Sequence, residues 1–153
     1  LEAANAERAD REFEEAVINA VAENAKVEIP AVMVEKEVDK MVQNLQQRLQ
    51  YQGLNLEQYF QFTGTDEEKM REYMRENAAT KVKVDLVLEA VEKAENIDAT
   101  EEEIKEKAVE VAKMYSASED DKMVELLMQS QQAALRSDVI TNKAVKFLLE
   151  NNK

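Results

Sequence analysis

The hydrophobic positions of this chain recur every three to four residues almost from end to end. Phe13, Val17, Ala20 and Val21 share one helical face, which predicts a helix over roughly 3–24. Val34, Val38, Met41, Val42, Leu45 and Leu49 form a second stripe, over 30–52. A helix of that extent spans roughly 30 Å. Residues 24–29 separate the two. Ile29 precedes Pro30, whose ring drives it out of the helical region, and Pro30 suits the first turn of the helix that follows. Gly53 is a natural stop for that helix. Asn55 then caps a short helix over 56–62, and Gly64 ends it.

Thr65 to Glu68 reads as a capping box, in which threonine and glutamate satisfy each other's exposed backbone N–H groups. The helix it opens continues to about Glu95. Inside it, TKVKVDLVL (80–88) alternates like a strand. No turn residue bounds the run, and the same residues suit a helix buried on most sides, so helix is the expectation. In that helix Val82, Leu86 and Val87 share a face, with Val84, Leu88 and Val91 around it. A loop over 96–99 leads to a second capping box, Thr100 to Glu103. Ile104, Ala108, Val111, Ala112 and Tyr115 follow at helical spacing. Ser116 to Ser118 breaks that helix, and Ser118 with Asp121 caps a short one carrying Met123, Val124, Leu126, Leu127 and Met128. The last helix is predicted over 131–150, with Leu135, Val139, Ala144, Phe147 and Leu148 inward.

Composition agrees. The chain has 153 residues, enough for one domain with a core, yet only two glycines and one proline. Those residues supply most turns and hairpins, so the expected fold class is all-α. The net charge of −13 repels nucleic-acid backbones and anionic membranes, whose binding draws on lysine and arginine. Neither nucleic acid nor membrane is therefore an expected partner. Cysteine and histidine are both absent. That removes disulfides, thiolate chemistry, the usual zinc ligands and the commonest general base. No metal, no cofactor and no catalytic residue is expected. The acidic triplets Glu101–Glu103 and Glu119–Asp121 read as favourable charge at helix N-termini. No apolar run approaches the ~20 residues of a membrane span, and the polar, acidic start does not read as a signal peptide. A cytoplasmic chain is the expectation.

Two features point to binding. Tyr51, Leu54, Leu56, Tyr59, Phe60 and Phe62 crowd a segment too short to bury them by itself, which marks a contact surface. Seven methionines (33, 41, 70, 74, 114, 123 and 128) add flexible, polarizable side chains of the kind that accept varied partners. Packing on neighbouring helices is the plainer account of both features.

The segments VEIPAVMVEKEVDKMVQNLQQRLQYQG (27–53), LNLEQYFQFTG (54–64), VKVDLVLEAVEKAENIDATEEEI (82–104) and KMYSASEDDKMVELLMQS (113–130), with AVKFLLENNK at the end, follow one another in this order. In that order and spacing, over nearly the whole chain, they resemble the C-terminal, substrate-binding domain of the trigger factor family, ribosome-associated bacterial chaperones. The resemblance implies a multi-helical body with two protruding arms that form a cradle. One arm would use the helices of 30–52 and 65–95, the other those of 100–150. It also implies ATP-independent holding of unfolded or nascent polypeptides, with a homodimer among the assemblies it allows. The positions it suggests for client contact are Tyr59, Phe60 and Phe62 at the first tip, and Met114, Tyr115, Val124, Leu127 and Met128 along the second arm. Full-length members of the family also carry a ribosome-docking domain and a peptidyl-prolyl isomerase domain. Neither is contained in these residues, so ribosome binding and isomerase activity do not pass to them. The alternative is a helical scaffold or dimerisation module with one fixed partner.

Overall fold

The computed structural model describes residues 2–115 and 121–152, the side chains of 2–7 excepted. Among the described residues the fold is all-α, as expected, with no strand. The helices are α1 (Glu2–Asn24), α2 (Ala31–Tyr51), α3 (Leu56–Thr63), α4 (Glu67–Ala94), α5 (Glu101–Tyr115), α6 (Asp121–Ser130) and α7 (Gln132–Asn151). Where the sequence reads as one helical domain, contacts divide the chain into two compact units. One is the contiguous stretch 24–86; the other joins 1–23 to 87–153.

In the 24–86 unit, Pro30 stands one residue earlier than its predicted role. It is the N-cap, extended at φ −62° and ψ 128°, and its carbonyl accepts from Met33 and Val34 N–H. α2 ends in a Schellman motif. Leu54 N–H returns to the Leu49 carbonyl (2.8 Å) and Gly53 N–H to that of Gln50 (3.0 Å), with Gly53 at φ 73°. Asn55 caps α3 reciprocally with Gln58: each backbone N–H finds the other's side-chain oxygen, at 2.9 and 3.0 Å. Gly64, left-handed at φ 66°, closes α3 on the Phe60 carbonyl.

The capping box expected at Thr65–Glu68 gives way to a single side-chain cap one residue on. Asp66 is the residue that caps α4, its carboxylate accepting from Lys69 N–H at 2.9 Å, while the Thr65 hydroxyl donates only to the neighbouring carbonyl. An ionised carboxylate is the stronger acceptor and also answers the helix dipole.

α4 is helical straight through 80–88. Val82, Val87 and Leu88 are buried, with Val84 and Leu86 half-buried. Burial on several sides, rather than a pleat, explains the alternating pattern. α4 crosses α2, and ion pairs flank the crossing. Arg71 bonds Asp39 (2.6 Å) and Arg75 bonds Glu35 (2.7 Å) on one side. Lys81 bonds Glu37 on the other. Val38 and Ala78, both fully buried, lie between these pairs on their helices.

In the other unit, α5, α6 and α7 close on a core of Ile104, Ala108, Ala112, Val124, Leu127 and Leu135. The alanines at one-turn spacing let neighbouring helices approach closely. The turn from α4 into α5 is another Schellman closure, with Asn96 rather than glycine left-handed at φ 49° and Ile97 N–H returning to the Glu92 carbonyl. The predicted Thr100–Glu103 box forms here, at 2.8 and 3.3 Å. α7 holds this turn from the side. Arg136 grips the Asp98 carboxylate (2.6 and 2.9 Å), and Lys143 donates to the Asp98 carbonyl (2.6 Å) and to Glu103 (3.0 Å). The predicted Ser118 cap lies outside the described residues.

Candidate functional site

Among the described residues, large apolar side chains are left in solvent in both units, Phe13 of α1 among them although the sequence placed it on that helix's apolar face. In the 24–86 unit, Tyr51 is 92% exposed in the last turn of α2 and Phe62 is 80% exposed near the end of α3. Tyr73 of α4 is exposed as well, with Val32 and Met33 at the start of α2. Tyr59 and Phe60 are only half-buried and meet edge to face, ring centroids 6.0 Å apart. The cause is local. A helix of eight residues, fixed by the Asn55 cap and the Gly64 stop, cannot enclose Tyr59, Phe60 and Phe62 at once. Tyr59 and Phe60 shield each other, and Phe62 is left outside.

In the other unit, Met114 and Tyr115 end α5 at 75% and 79% exposure, and Leu126 of α6 stands outward. Val124 and Leu127 do not join them. Both are buried in the α5–α6–α7 core, and Met128 packs partly buried against it. The structure thus separates the residues that the resemblance suggested. Tyr59, Phe60, Phe62, Met114 and Tyr115 reach solvent, whereas Val124 and Leu127 hold α6 in place.

Tyr73 and Leu126 were not among the expected contacts, and Tyr51, expected in the crowded segment, was not among the positions the resemblance suggested; each carries a signal in the sequence. Met70, Met74, Ala78 and Val82 repeat every four residues, and Tyr73 sits one position off that stripe. Leu126 likewise sits off the Val124–Leu127 face. Tyr51 occupies the last turn before Gly53, where α2 runs out of neighbours. A large apolar residue off its helix's own stripe is the sign that was available.

The segment between is almost uncharged. From Met41 to Thr65 only Arg48 and Glu57 carry charge, in a chain whose net charge is −13. Glutamines and asparagines take up the polar positions. The apolar surface of this unit is thus framed by groups that both donate and accept hydrogen bonds.

Among the described residues one polar side chain is enclosed. Glu37 of α2 is 6% exposed. Lys81 bonds its carboxylate directly and Lys40 lies 3.4 Å away. The hydrogen bond from Lys81 outweighs burial and holds the Glu37 carboxyl below its usual range. Asp85, one turn after Lys81 and exposed, is pushed the other way: desolvation by the protein around it outweighs the opposing charge of Lys81, and the Glu37 charge adds to it. Among the described residues no acidic cluster could hold a metal ion, and no helix is long and apolar enough to cross a membrane.

The family description "Bacterial trigger factor protein (TF) C-terminus" matches residues 1–150. The trigger factor of Clostridium beijerinckii is 55% identical over all 153 residues, which cover 36% of that protein. The trigger factor of Clostridium botulinum strain Langeland is 50% identical over 147 residues, 96% of this chain and 34% of that protein. The chain therefore spans about a third of the length of the curated relatives it matches. No solved structure matches it.

Proposed function

Because the chain belongs to the trigger factor family of chaperones, and matches its C-terminal region, we propose that it is an ATP-independent holdase module. It buries apolar segments of unfolded or nascent polypeptides and so keeps them from aggregating. The observation that carries this reading is the outward placement of Tyr51, Phe62, Met114 and Tyr115 on capped, well-packed helices. The residues proposed to touch the client are Tyr51, Tyr59, Phe60, Phe62, Met114 and Tyr115, with Met128 at the margin. Val124 and Leu127 support α6 from within.

The energetics favour reversible capture. Covering about 100 Å² of apolar area on one aromatic side chain contributes about 2.5 kcal/mol. That lies below the ~4–15 kcal/mol cost of association, so a single contact does not hold a chain. Several contacts on one client do, because each raises the effective concentration for the next. Methionine suits such a surface, since its unbranched side chain adapts to different sequences. The surplus of acidic charge keeps loaded and unloaded copies apart. The work is that of a binding module and needs no catalytic group. Contact with a ribosome would pass through parts of the full-length protein outside these residues, and a cytoplasmic setting fits this role.

The test is suppression of aggregation of a chemically unfolded protein by this chain alone, with the native form of the same protein as the control. Suppression near equimolar ratio, with no binding of the native form, is the expected result. A folded, helical chain that does not suppress aggregation would overturn the reading.

A further inference from the structure

Glu37 sits in the wrong place for a surface charge. It lies on the apolar stripe of α2, three residues after Val34 and four before Met41, and its side chain is 8% exposed. A carboxylate moved out of water is costly unless paired. Here the partner arrives from another helix: Lys81 of α4, forty-four residues on, bonds one carboxylate oxygen, and Lys40 stands 3.4 Å from the other. The Lys81 side chain is 57% exposed and that of Lys40 69%, so only the acid is enclosed.

The position of this pair matters more than its strength. On α2, Glu35 and Glu37 are two residues apart and so face nearly opposite sides of the helix. α4 engages both sides. Arg71 and Arg75 take Asp39 and Glu35, and ten residues after Arg71 Lys81 takes Glu37. Ten residues of helix span about 15 Å, against a helix diameter of about 10 Å. α4 therefore passes across α2 rather than along it. On the flank with Arg71 and Arg75 the acids Glu35 and Asp39 stay open to water, at 44% and 58% exposure; on the other flank Glu37 is enclosed. Apolar burial, such as that of Val38 on α2 and Ala78 on α4, is non-directional and would accept a slide by one turn. The Glu37 carboxylate would not, because a slide takes away Lys81 and leaves the enclosed acid only the longer contact to Lys40 of its own helix.

We propose that Glu37 and Lys81 are a positioning pair, which fixes the register of α2 against α4 and so aims the aromatic segment 51–62 that the two helices carry between them. The inference rests on the holdase reading for its functional consequence, but not for its geometry. An ion pair with its acid enclosed adds little net stability over an apolar pair of similar volume, while removal of the partner that neutralises the enclosed acid is costly. The pair is thus retained for register.

The experiment uses the full chain. It has no native cysteine, so Gln47→Cys and Glu72→Cys, both at exposed positions, allow a spin-label distance between α2 and α4. Lys81→Met alone should lower the folding equilibrium constant about tenfold or more. The double variant Glu37→Met/Lys81→Met should return it to within about threefold of the parent. The decisive expectation is that the stable double variant broadens the spin-label distance distribution and suppresses aggregation severalfold less well, whereas Lys81→Arg retains both. A double variant that keeps the narrow distribution would overturn the proposal. If the parent chain itself does not suppress aggregation, the holdase reading fails, and the distance distribution still decides the pair.

Discussion

Leu127→Ala separates a structural role in α6 from a client-contact role. Leu127 is 7% exposed and shares its core with Ile104, Ala108, Ala112, Val124 and Leu135. Removing its isobutyl group loses the transfer free energy of the deleted carbons and leaves a cavity. Two of the five neighbours are alanines, which have no side chain to swing into the gap. The cavity should persist, so a cost of about 3 kcal/mol is expected, within the usual range for buried leucine. That is more than a hundredfold in the local folding equilibrium. Urea unfolding followed by circular dichroism gives the total change. Hydrogen exchange should place it in α5, α6 and α7, with α2 and α3 unaffected. Under conditions where the variant stays folded, its suppression of aggregation should equal the parent's. A cost below about 0.5 kcal/mol, typical of an exposed site, would refute the packing described here. Unchanged stability with lost client capture would make Leu127 a contact residue after all.

Tyr51→Ser with Phe62→Ser should leave the melting temperature within about 2 °C of the parent, since both side chains are exposed; titration with an unfolded client should show severalfold weaker binding. Asn96→Gly should raise the melting temperature by about 1–2 °C, because glycine accepts the left-handed φ of 49° without the steric cost an L side chain carries; calorimetry checks this. The acid response has two opposite parts. Asp98 and Glu103 are held low, Asp98 chiefly by Arg136 and Glu103 chiefly by the Thr100 N–H with Lys143. Their stabilisation is present above the ordinary carboxylate values and is lost as pH falls through the lowered ones. Asp85 is raised by desolvation against the pull of Lys81, so a small cost, screened by solvent at this exposed position, is present at neutral pH and relieved as pH falls. Asp85→Asn should therefore stabilise the chain at pH 7 and lose that advantage in acid, which denaturant midpoints at the two pH values would show.

Most of the helices are legible because their signals are local. The Asn55–Gln58 and Thr100–Glu103 caps and the Gly53 and Gly64 stops act within a few residues, so the sequence alone displays them. Asp66 displaces Thr65 as the α4 cap because two adjacent residues can both cap and the stronger acceptor prevails. The surface is less legible. Val124 and Leu127 share the apolar character of Met114 and Tyr115, and only the seating of α6 on α5 and α7 tells them apart. Glu37 reads as one charge in a charged helix, although its place on the Val34–Met41 stripe marks it. Its partner Lys81 is forty-four positions away, and no local pattern connects them.

The order of the two units along the chain has a consequence for biosynthesis. Residues 24–86 form a contiguous unit, whereas α1 is grouped with residues 87–153. A chain made from its N-terminus completes 24–86 while most of the partner set of α1 is still untranslated. Loop closure within a short contiguous stretch is entropically cheaper than closure across an intervening unit. The aromatic segment 51–62 can therefore take shape first.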